Sequence, residues 1–249
     1  MWNAKPTGGY AAGSPEAEAN VTEMAAYLFW EASPTWTLYA IAAMLGNGAG
    51  EGGLNPWRWE SDHVPTYAEY LSWTSQQAQS HGYGIFGFTA ASRYIENAQA
   101  QAFPGYGPNF ADRAGLATDG AAQTFFMQME APNNWAAQSW VQSYYGQVFQ
   151  DELGIDVARF NLSYSDFVSA DDTVSFFSLV GAFELHYEKP AAYWTNPITG
   201  VIQHPATDSI GYRYTSALDW LQWLQDHPPG PIHRKKKGMP LWMMLNYIK

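Results

Sequence analysis

The chain has 249 residues, of which 47% are hydrophobic and 14% are charged, and its formal net charge is −11. This length and composition suit one large folded domain or two small ones and exclude a largely disordered chain. The negative charge argues against a nucleic-acid partner, and the absence of cysteine excludes disulfides, a thiol nucleophile and cysteine-bound zinc.

The N-terminal part is predicted to be a flexible arm followed by two helices. Residues 1–15 are rich in glycine, proline and alanine, and they contain no apolar segment typical of a secretory signal peptide. EANVTEMAAYLFWEA has apolar residues at helical spacing, with Asn20 as the expected cap. SPTWTLYAIAAML follows as an apolar helix beginning near Ser33 or Thr35, and the glycines at 46–53 are expected to loosen or end it.

The rest of the domain is predicted to be mostly helical. Residues 54–88 are expected to be irregular, with room for a small hairpin. Four more helices are predicted: TAASRYIENAQAQA capped by Thr89, DGAAQTFFMQME ending before Pro132, DDTVSFFSLVGAFELHYEKP stopped by Pro190, and DSIGYRYTSALDWLQWLQ. Residues 133–170 show no decisive period. The predicted fold class is therefore mainly α (α+β), with a small β or irregular insertion after the second helix.

The composition changes after residue 227. HPPGPIHRKKKG joins a stiff, turn-prone segment to a basic run, and MPLWMMLNYIK is apolar but too short to span a membrane. We predict that residues 228–249 form a linker and a docking segment, and the alternative is that they fold back onto the core. The basic run is expected to be a solvated linker, with contact to phosphate or wall teichoic acid as the alternative.

One acidic residue, Glu51, lies within a glycine-rich stretch directly after the second predicted helix. A general acid needs a carboxyl group that is protonated near neutral pH, and burial among apolar groups raises its pKa. Leu54, Trp57 and Trp59 follow closely and could form such a pocket, while the glycines would let a bulky substrate approach. The alternative is an exposed glutamate in a flexible loop.

The segment LYAIAAMLGNGAGEGGLNPWRW resembles the catalytic-helix motif of the phage tail lysozyme family, within the lysozyme-like superfamily. HGYGIFGFTA, TDGAAQTFFMQME and FELHYEKPA resemble three further blocks of that family, and they occur in the same order. The resemblance implies a lysozyme-like catalytic domain over residues 16–227, in which Glu51 is the proton donor. Two positions depart from the family pattern, since Gly87 replaces a frequent Gln and Lys189 replaces the usual Arg.

The resemblance also implies a function. The expected activity is that of a glycoside hydrolase of the N-acetylmuramidase type, cutting the β-1,4 bond between N-acetylmuramic acid and N-acetylglucosamine in peptidoglycan. The expected location is the virion tail tip, acting outside the bacterial cell on its wall, with other tail subunits bound through the C-terminal segment. No cofactor and no metal are expected. The candidate substrate-binding residues are Asn55, Trp57, Tyr83, Phe86, Phe88 and Thr89, although the aromatic rings at 83, 86 and 88 are equally typical of a core.

The sequence offers two candidates for a second catalytic carboxylate. Glycosidases usually pair two carboxylates, about 5 Å apart in retaining enzymes and about 6.5–9.5 Å apart in inverting ones. The spacing of small phage lysozymes, transferred here, selects Glu60 as the partner and Thr66 as a further catalytic residue, and Asp62 fits equally well. Lytic transglycosylases need no second carboxylate, so that activity remains an alternative, as does a non-catalytic tail or wall-binding module.

Two further acids, Glu184 and Glu188, are four residues apart on a predicted helix, a spacing that metal ligands also use. Because the chain has no HExxH motif, we interpret them as acids of one helix face, with Glu188 held by an Arg or Lys. The neighbouring His186 is predicted to be a packed or surface residue rather than a ligand.

Overall fold

A computed structural model describes residues 2–5, 8–60, 63–73, 81–103, 119–195 and 199–231. Within these ranges 61% of the residues are helical, which confirms the predicted mainly α class. The α-helices are α1 (Pro15–Trp30), α2 (Leu38–Glu51), α3 (Tyr67–Ser72), α4 (Ser92–Ile95), α5 (Ala98–Gln101), α6 (Asp119–Asn134), α7 (Gln138–Leu153), α8 (Tyr164–Ser169), α9 (Phe176–Phe183) and α10 (Pro205–Asp226).

Helix α2 lies at the centre of the fold, and residues 40–48 within it are all buried. It begins after Thr37, whose hydroxyl caps the Ala40 N–H at 3.2 Å, rather than at Ser33 or Thr35. The helix continues through Gly46, Gly48 and Gly50 and ends at the glycine pair Gly52 and Gly53, so it ends within the glycine stretch but later than its first glycines. A Cβ at Gly46 would lie 2.5 Å from the Cβ of Ala217, so glycine permits the close packing of α2 against α10.

Helix α1 and the N-terminal residues also differ from prediction. Ser14, not Asn20, caps α1, and its hydroxyl accepts the Ala17 N–H. Asn20 is buried, and its side-chain amide donates to the carbonyls of Asn3 and Leu54, both at 2.9 Å.

The N-terminal arm is packed rather than loose where the structure describes it. Trp2 is only 6% exposed and covers Gly120 at the start of α6, where any side chain would overlap its ring. The Asn3 N–H donates to the Asn20 side chain at 2.6 Å. These contacts attach the N-terminal residues to the helical core.

Among the described residues between α2 and Thr89, little of the chain is in regular structure. Trp59 and Tyr83 form an isolated antiparallel bridge, and these described residues contain no hairpin. The helix predicted after Thr89 is two short helices, α4 and α5, and Asn97 caps the second. Helix α6 continues through Pro132 and ends two residues later, so the lost backbone N–H costs one hydrogen bond in its last turn.

The C-terminal half contains helices α7 to α10, a 3-10 turn (Val157–Phe160) and one small sheet. The strands are β1 (Trp194–Thr195) and β2 (Ile202–Gln203), antiparallel, with Thr195 opposite Ile202. The strong helix predicted over the FFSLVGAFELHYE segment is helical, but it changes from α9 to a π-helical turn (Glu184–Glu188). Lys189 ends this turn in a left-handed conformation with φ of 55°.

The predicted docking segment lies largely outside the described residues, which end at 231. Within the described part, the Trp30 indole N–H donates to the carbonyl of Pro229 at 2.7 Å, so the proline segment returns to the end of α1. In the part of the chain that the structure describes, no helix has the length and apolarity needed to cross a bilayer.

Candidate active site

A cleft of about 690 Å³ lies between the C-terminal end of α2, the loop at 86–89, the π-helical turn and α10. Its walls combine apolar residues with both signs of charge. The charged residues that line it are Glu51, Glu60, Arg93, Glu188, Lys189 and Arg213. The cleft therefore contains the predicted proton donor together with charged groups that are distant in sequence.

Glu51 is the last residue of α2, and its side chain is 32% exposed. Its backbone carbonyl accepts a hydrogen bond from the Arg58 guanidinium at 3.0 Å. Its carboxyl Oε1 accepts a hydrogen bond from Nη2 of Arg213, which forms an ion pair. The other oxygen, Oε2, faces Gly87, where an added Cβ would lie 3.3 Å away. The glycine at 87, which departs from the family pattern, thus leaves room beside the Glu51 carboxyl.

Arg213 is a buried residue of α10, and its guanidinium joins three helical segments. It donates to the Asn47 side chain at 3.0 Å and to Glu51, and its Nε lies 3.4 Å from Oε1 of Glu184. Burial lowers the pKa of Arg213, but the carboxylates of Glu184, Glu51 and Glu188 outweigh burial and raise it. The guanidinium is therefore a fixed positive charge beside Glu51.

Asn47 fixes the position of that guanidinium. It is fully buried in α2, and its amide donates to the carbonyls of Ala43 at 2.9 Å and Val180 at 3.2 Å. With both donor bonds made to the backbone, its Oδ1 is oriented toward Arg213. The Gly-Asn step of the first sequence block thus has a structural role in the charge network.

Two acids of the π-helical turn complete the cluster around Arg213. Glu184 is fully buried, and its Oε1 accepts the Ser209 hydroxyl at 2.6 Å. Burial raises the pKa of Glu184 to about 7, although Arg213 and Ser209 favour its ionised form. Burial also raises the pKa of Glu188 well above the ordinary value, and the Glu51 charge raises it further. Three carboxyl groups therefore share one buried guanidinium.

The interpretation of Glu184 and Glu188 as ordinary acids of one helix face is thus incomplete. Glu184 is fully buried and Glu188 lines the cleft, and both lie in a π-helical turn, a feature common at functional sites. The carboxyl Oε1 of Glu188 is shielded from solvent. Among the described residues, no group of three or more His, Asp or Glu side chains is arranged to hold a metal ion.

A second charge network forms another part of the cleft wall. Arg93 makes a two-point contact with Glu130, including a 2.8 Å bond from Nε to Oε2. The Tyr187 hydroxyl donates to the same carboxylate at 2.5 Å, and Asn134 donates to it at 3.0 Å. The charge of Arg93 is therefore largely balanced by Glu130.

The candidate second carboxylate, Glu60, lies in the cleft as expected, although its role stays a prediction. Its Oε2 accepts the Gly82 N–H at 2.7 Å, and its backbone N–H donates to the Gly82 carbonyl at 2.9 Å. Asp62 lies outside the described residues. Thr66 does not line the cleft, because it is the exposed cap of α3 and forms a capping box with Glu69. The catalytic assignment of Thr66 is therefore corrected to a structural one.

The predicted substrate-binding residues fall into two groups. Phe86, Phe88 and Thr89 line the cleft. The two Phe rings are only 2% exposed, so they belong to its apolar wall and cannot present a ring face to a sugar. Thr89 is exposed, and its hydroxyl donates to the Gly87 carbonyl at 2.9 Å.

Asn55, Trp57 and Tyr83 lie outside the cleft lining. Asn55 is fully buried, and its side chain bonds to the backbone of Lys5 and Gly8 at 2.8–3.2 Å. Trp57 packs partly buried against the core, and Tyr83 is buried in an aromatic stack with Tyr94. The prediction that Asn55 and Tyr83 bind substrate is wrong, because the amide of Asn55 and the ring of Tyr83 are buried and used within the fold. For the partly buried Trp57 it stays a prediction.

His186 is a packed residue, which confirms that prediction. Its Nδ1 lies 2.7 Å from the Ala136 carbonyl and its Nε2 lies 3.1 Å from the Phe160 carbonyl. Its ring stacks on Trp135 with centroids 5.3 Å apart. Burial lowers its pKa, which favours the neutral imidazole.

The cleft is chemically suited to proton transfer. The Glu51 carboxyl forms an ion pair with Arg213, whereas burial raises the pKa values of the nearby Glu184 and Glu188 carboxyls, which favours their protonated forms. Sequence reasoning missed Arg213, because α10 gives no local signal for it. Comparison with known proteins gives no match to any protein-family model or to any curated protein.

Proposed function

We propose that the protein cleaves the glycan strands of peptidoglycan, and that Glu51 delivers a proton to the oxygen of the bond that breaks. The proposed bond is the β-1,4 link between N-acetylmuramic acid and N-acetylglucosamine. One observation carries this proposal: the Glu51 carboxyl lies in the cleft with one oxygen held by Arg213 and the other facing Gly87. A carboxyl fixed at one oxygen and open at the other is suited to proton transfer to a bound substrate.

The dimensions and lining of the cleft support a saccharide substrate. Its volume of about 690 Å³ suits a ligand of several sugar units. Its polar groups offer hydrogen bonds to hydroxyl and acetamido groups, and its buried aromatic wall excludes water from one side. An open carboxyl in such a cleft fits glycoside cleavage.

The presence of Glu60 in the same cleft favours hydrolysis over a transglycosylase reaction. Hydrolysis uses a second carboxylate, either to attack the sugar or to activate water. The Gly82 N–H orients Oε2 of Glu60 at 2.7 Å, so this side chain has a fixed position in the cleft. In a transglycosylase the 6-hydroxyl of the sugar would close an anhydro ring, and Glu60 would be dispensable.

The resemblance of the sequence blocks supplies the biological setting of the proposal. The protein would be a tail-associated lysozyme of a phage, opening the bacterial wall during DNA entry. Its partners would be peptidoglycan and neighbouring tail subunits. A virion that carries the enzyme to the wall would also explain how a chain of net charge −11 can act on an anionic polymer.

Mass spectrometry of muropeptides after digestion of purified wall tests this function. New reducing ends on N-acetylmuramic acid would support the hydrolase, and anhydro ends would support the transglycosylase. If folded protein releases no fragment from walls of several chemotypes, the enzymatic proposal fails and a structural tail or wall-binding module is supported. Glu16→Gln, an exposed substitution far along the chain from the cleft, is the matched control for Glu51→Gln.

A further inference from the structure

Among the described residues, Lys189 is the one cation of the cleft lining that forms no ion pair with a carboxylate. It is exposed, in contrast to the buried Arg213. The ion pairs of the cleft instead join Arg93 to Glu130 and Arg213 to Glu51. We propose that Lys189 binds a carboxylate carried by the N-acetylmuramic acid unit of the substrate, an inference that rests on the proposed function.

The acid that acts electrostatically on Lys189 is Glu130, and both of its oxygens are already occupied. Oε2 accepts hydrogen bonds from Arg93 at 2.8 Å and from Asn134 at 3.0 Å. Oε1 accepts the Tyr187 hydroxyl at 2.5 Å and a second nitrogen of Arg93. Because an ionised carboxylate offers about four lone-pair sites, these four donors fill it and leave none for the Lys189 ammonium.

The charges around Lys189 do not compensate its own charge. They are Arg93 on α4 and Glu130 on α6. Partial burial lowers the pKa of Lys189 and Arg93 lowers it further, while Glu130 opposes these effects only in part. The ammonium is therefore less stable in the cleft than in water, and an anion bound beside it would stabilise it.

The backbone at Lys189 also indicates a functional position. Lys189 ends the π-helical turn with φ of 55° and ψ of 54°, and its N–H donates to the Glu184 carbonyl at 2.7 Å. Glycine is the residue most favoured in this left-handed conformation after a helix, and a side chain disfavours it. A charged side chain held in such a conformation at the wall of a cleft is typical of a ligand-binding position.

The proposed substrate carries negative charge on only one of its two sugars. N-acetylmuramic acid is N-acetylglucosamine with a lactyl ether, whose carboxyl group is either free or joined to a stem peptide that has carboxylates of its own. N-acetylglucosamine is neutral. Because the carboxylates of Glu51 and Glu60 would repel such a group elsewhere in the cleft, its position beside Lys189 would determine which sugar lies on each side of the bond that breaks.

Binding of small ligands tests this role without relying on cleavage. The probes are three forms of the disaccharide in which N-acetylglucosamine is linked to O4 of N-acetylmuramic acid, a molecule that lacks the bond proposed to break. The forms carry a free lactyl acid, its neutral primary amide or a stem peptide. NMR titration of the wild-type protein should give at least one charged form a dissociation constant about threefold to tenfold below that of the amide.

Substitutions at position 189 identify the group responsible. Lys189→Gln should abolish the preference over the amide, and Lys189→Arg should retain it. Lys189→Gly also removes the ammonium but suits the left-handed backbone, so it should melt above wild type and still show no preference. Arg159→Gln is the matched control, because Arg159 is an exposed cation that does not line the cleft, and it should keep the preference.

The three probes also distinguish the two sources of the carboxylate. Preference for the free acid alone would assign the subsite to the lactyl group, and preference for the peptide form alone would assign it to the stem peptide. Equal affinity of the wild-type protein for all three forms would overturn the inference. A preference that survives both Lys189→Gln and Lys189→Gly would overturn it as well.

A parallel assay of wall cleavage separates this inference from the proposed function. If wall is cleaved but the charged forms are not preferred, only the inference fails. If no wall is cleaved but the preference depends on Lys189, the catalytic proposal fails and the carboxylate subsite stands. If no form of the disaccharide binds, the inference fails whether or not wall is cleaved.

Discussion

Arg213 donates a hydrogen bond to the carboxyl of Glu51 across 162 positions of sequence, joining the buried face of helix α10 to the end of α2. The same guanidinium holds Asn47 one helical turn before Glu51. The carboxyl that the sequence motif singles out is thus positioned by a residue that no motif includes. The predictions below follow from this network and from the glycines around it.

Replacement of Glu51 by Gln should abolish wall cleavage while preserving the fold. The change keeps the size of the side chain but removes the group that carries the proton, and general acid catalysis contributes about 10²–10⁴-fold. Turbidity of a wall suspension gives the rate, and circular dichroism verifies the fold. Wild-type activity in a folded Glu51→Gln protein would show that Glu51 is not the proton donor.

Stability should fall as pH rises through the titration range of Glu184. The pKa of this carboxyl is about 7 in the folded protein and 4.5 in the reference state, so the folded protein binds more protons between these values. The contribution of Glu184 to the free energy of unfolding should therefore be greatest below about pH 4.5. It should decrease by roughly 3 kcal/mol toward pH 7.

Urea denaturation of wild type and Glu184→Gln at several pH values measures the contribution of Glu184 to stability. The variant lacks the titrating carboxyl, so its stability should change less with pH than that of wild type. The difference between the two proteins isolates Glu184 from the other acids. If the two curves run parallel from pH 4.5 to pH 7, Glu184 does not titrate in this window.

Gly87→Ala should reduce activity more than stability. Gly87 has φ of 54°, and its added Cβ would lie 3.3 Å from Oε2 of Glu51. Gly154 is the matched control, because its φ is 64° but no atom lies within 4 Å of its Cβ position. Both Ala variants should lose about 1 kcal/mol of stability, since a side chain disfavours this backbone conformation. Only Gly87→Ala should lose wall cleavage, and equal activity of the two variants would argue against crowding of Glu51.

Gly46→Ala should destabilise the whole fold. Its Cβ would lie 2.5 Å from that of Ala217 and would overlap the Arg213 backbone, so α2 and α10 would have to separate. Overpacking of this kind costs about 1–3 kcal/mol or more. Gly211→Ala, in the exposed face of α10 with no atom within 4 Å, should instead stabilise by up to about 1 kcal/mol. Thermal melts of both variants measure the two changes in stability. If helix propensity alone determined the effect at position 46, Gly46→Ala would stabilise the protein as Gly211→Ala does.

The sequence was sufficient for the helices but not for their ends. Apolar residues at helical spacing located α1, α2 and α10, since this period requires only local pattern. The continuation of α2 through its glycines could not be predicted, because the gain comes from contact with Ala217 on a distant helix. Likewise, the cap of α1 is Ser14 rather than the predicted Asn20, because the Asn20 side chain binds the N-terminal residues.

The sequence predicted those residues of the site that are close together in the chain, but not the partner that is distant in sequence. Glu51 and Glu60 lie within one short segment, so a motif could place both in a cleft. Thr66 was selected by the spacing of small phage lysozymes and Asn55 by its place in the first resembling block, but the side chains of both bond to backbone groups of the fold. The partner Arg213 is a charged residue in an otherwise ordinary amphipathic helix, so only the tertiary structure reveals it.

The N-terminal contacts have a mechanical consequence for the cleft. The Tyr10 N–H donates to the Gly53 carbonyl at 2.8 Å, and Asn55 binds the backbone of Lys5 and Gly8. The N-terminal residues therefore hold the segment that immediately follows Glu51 in place. Tension applied to the first residues would be borne first by the contacts of Trp2 with α6 and of Asn3 with α1, and only after their loss by the segment that follows Glu51. The packing of Trp2 and Asn3 therefore protects this part of the cleft from a pull on the N-terminus.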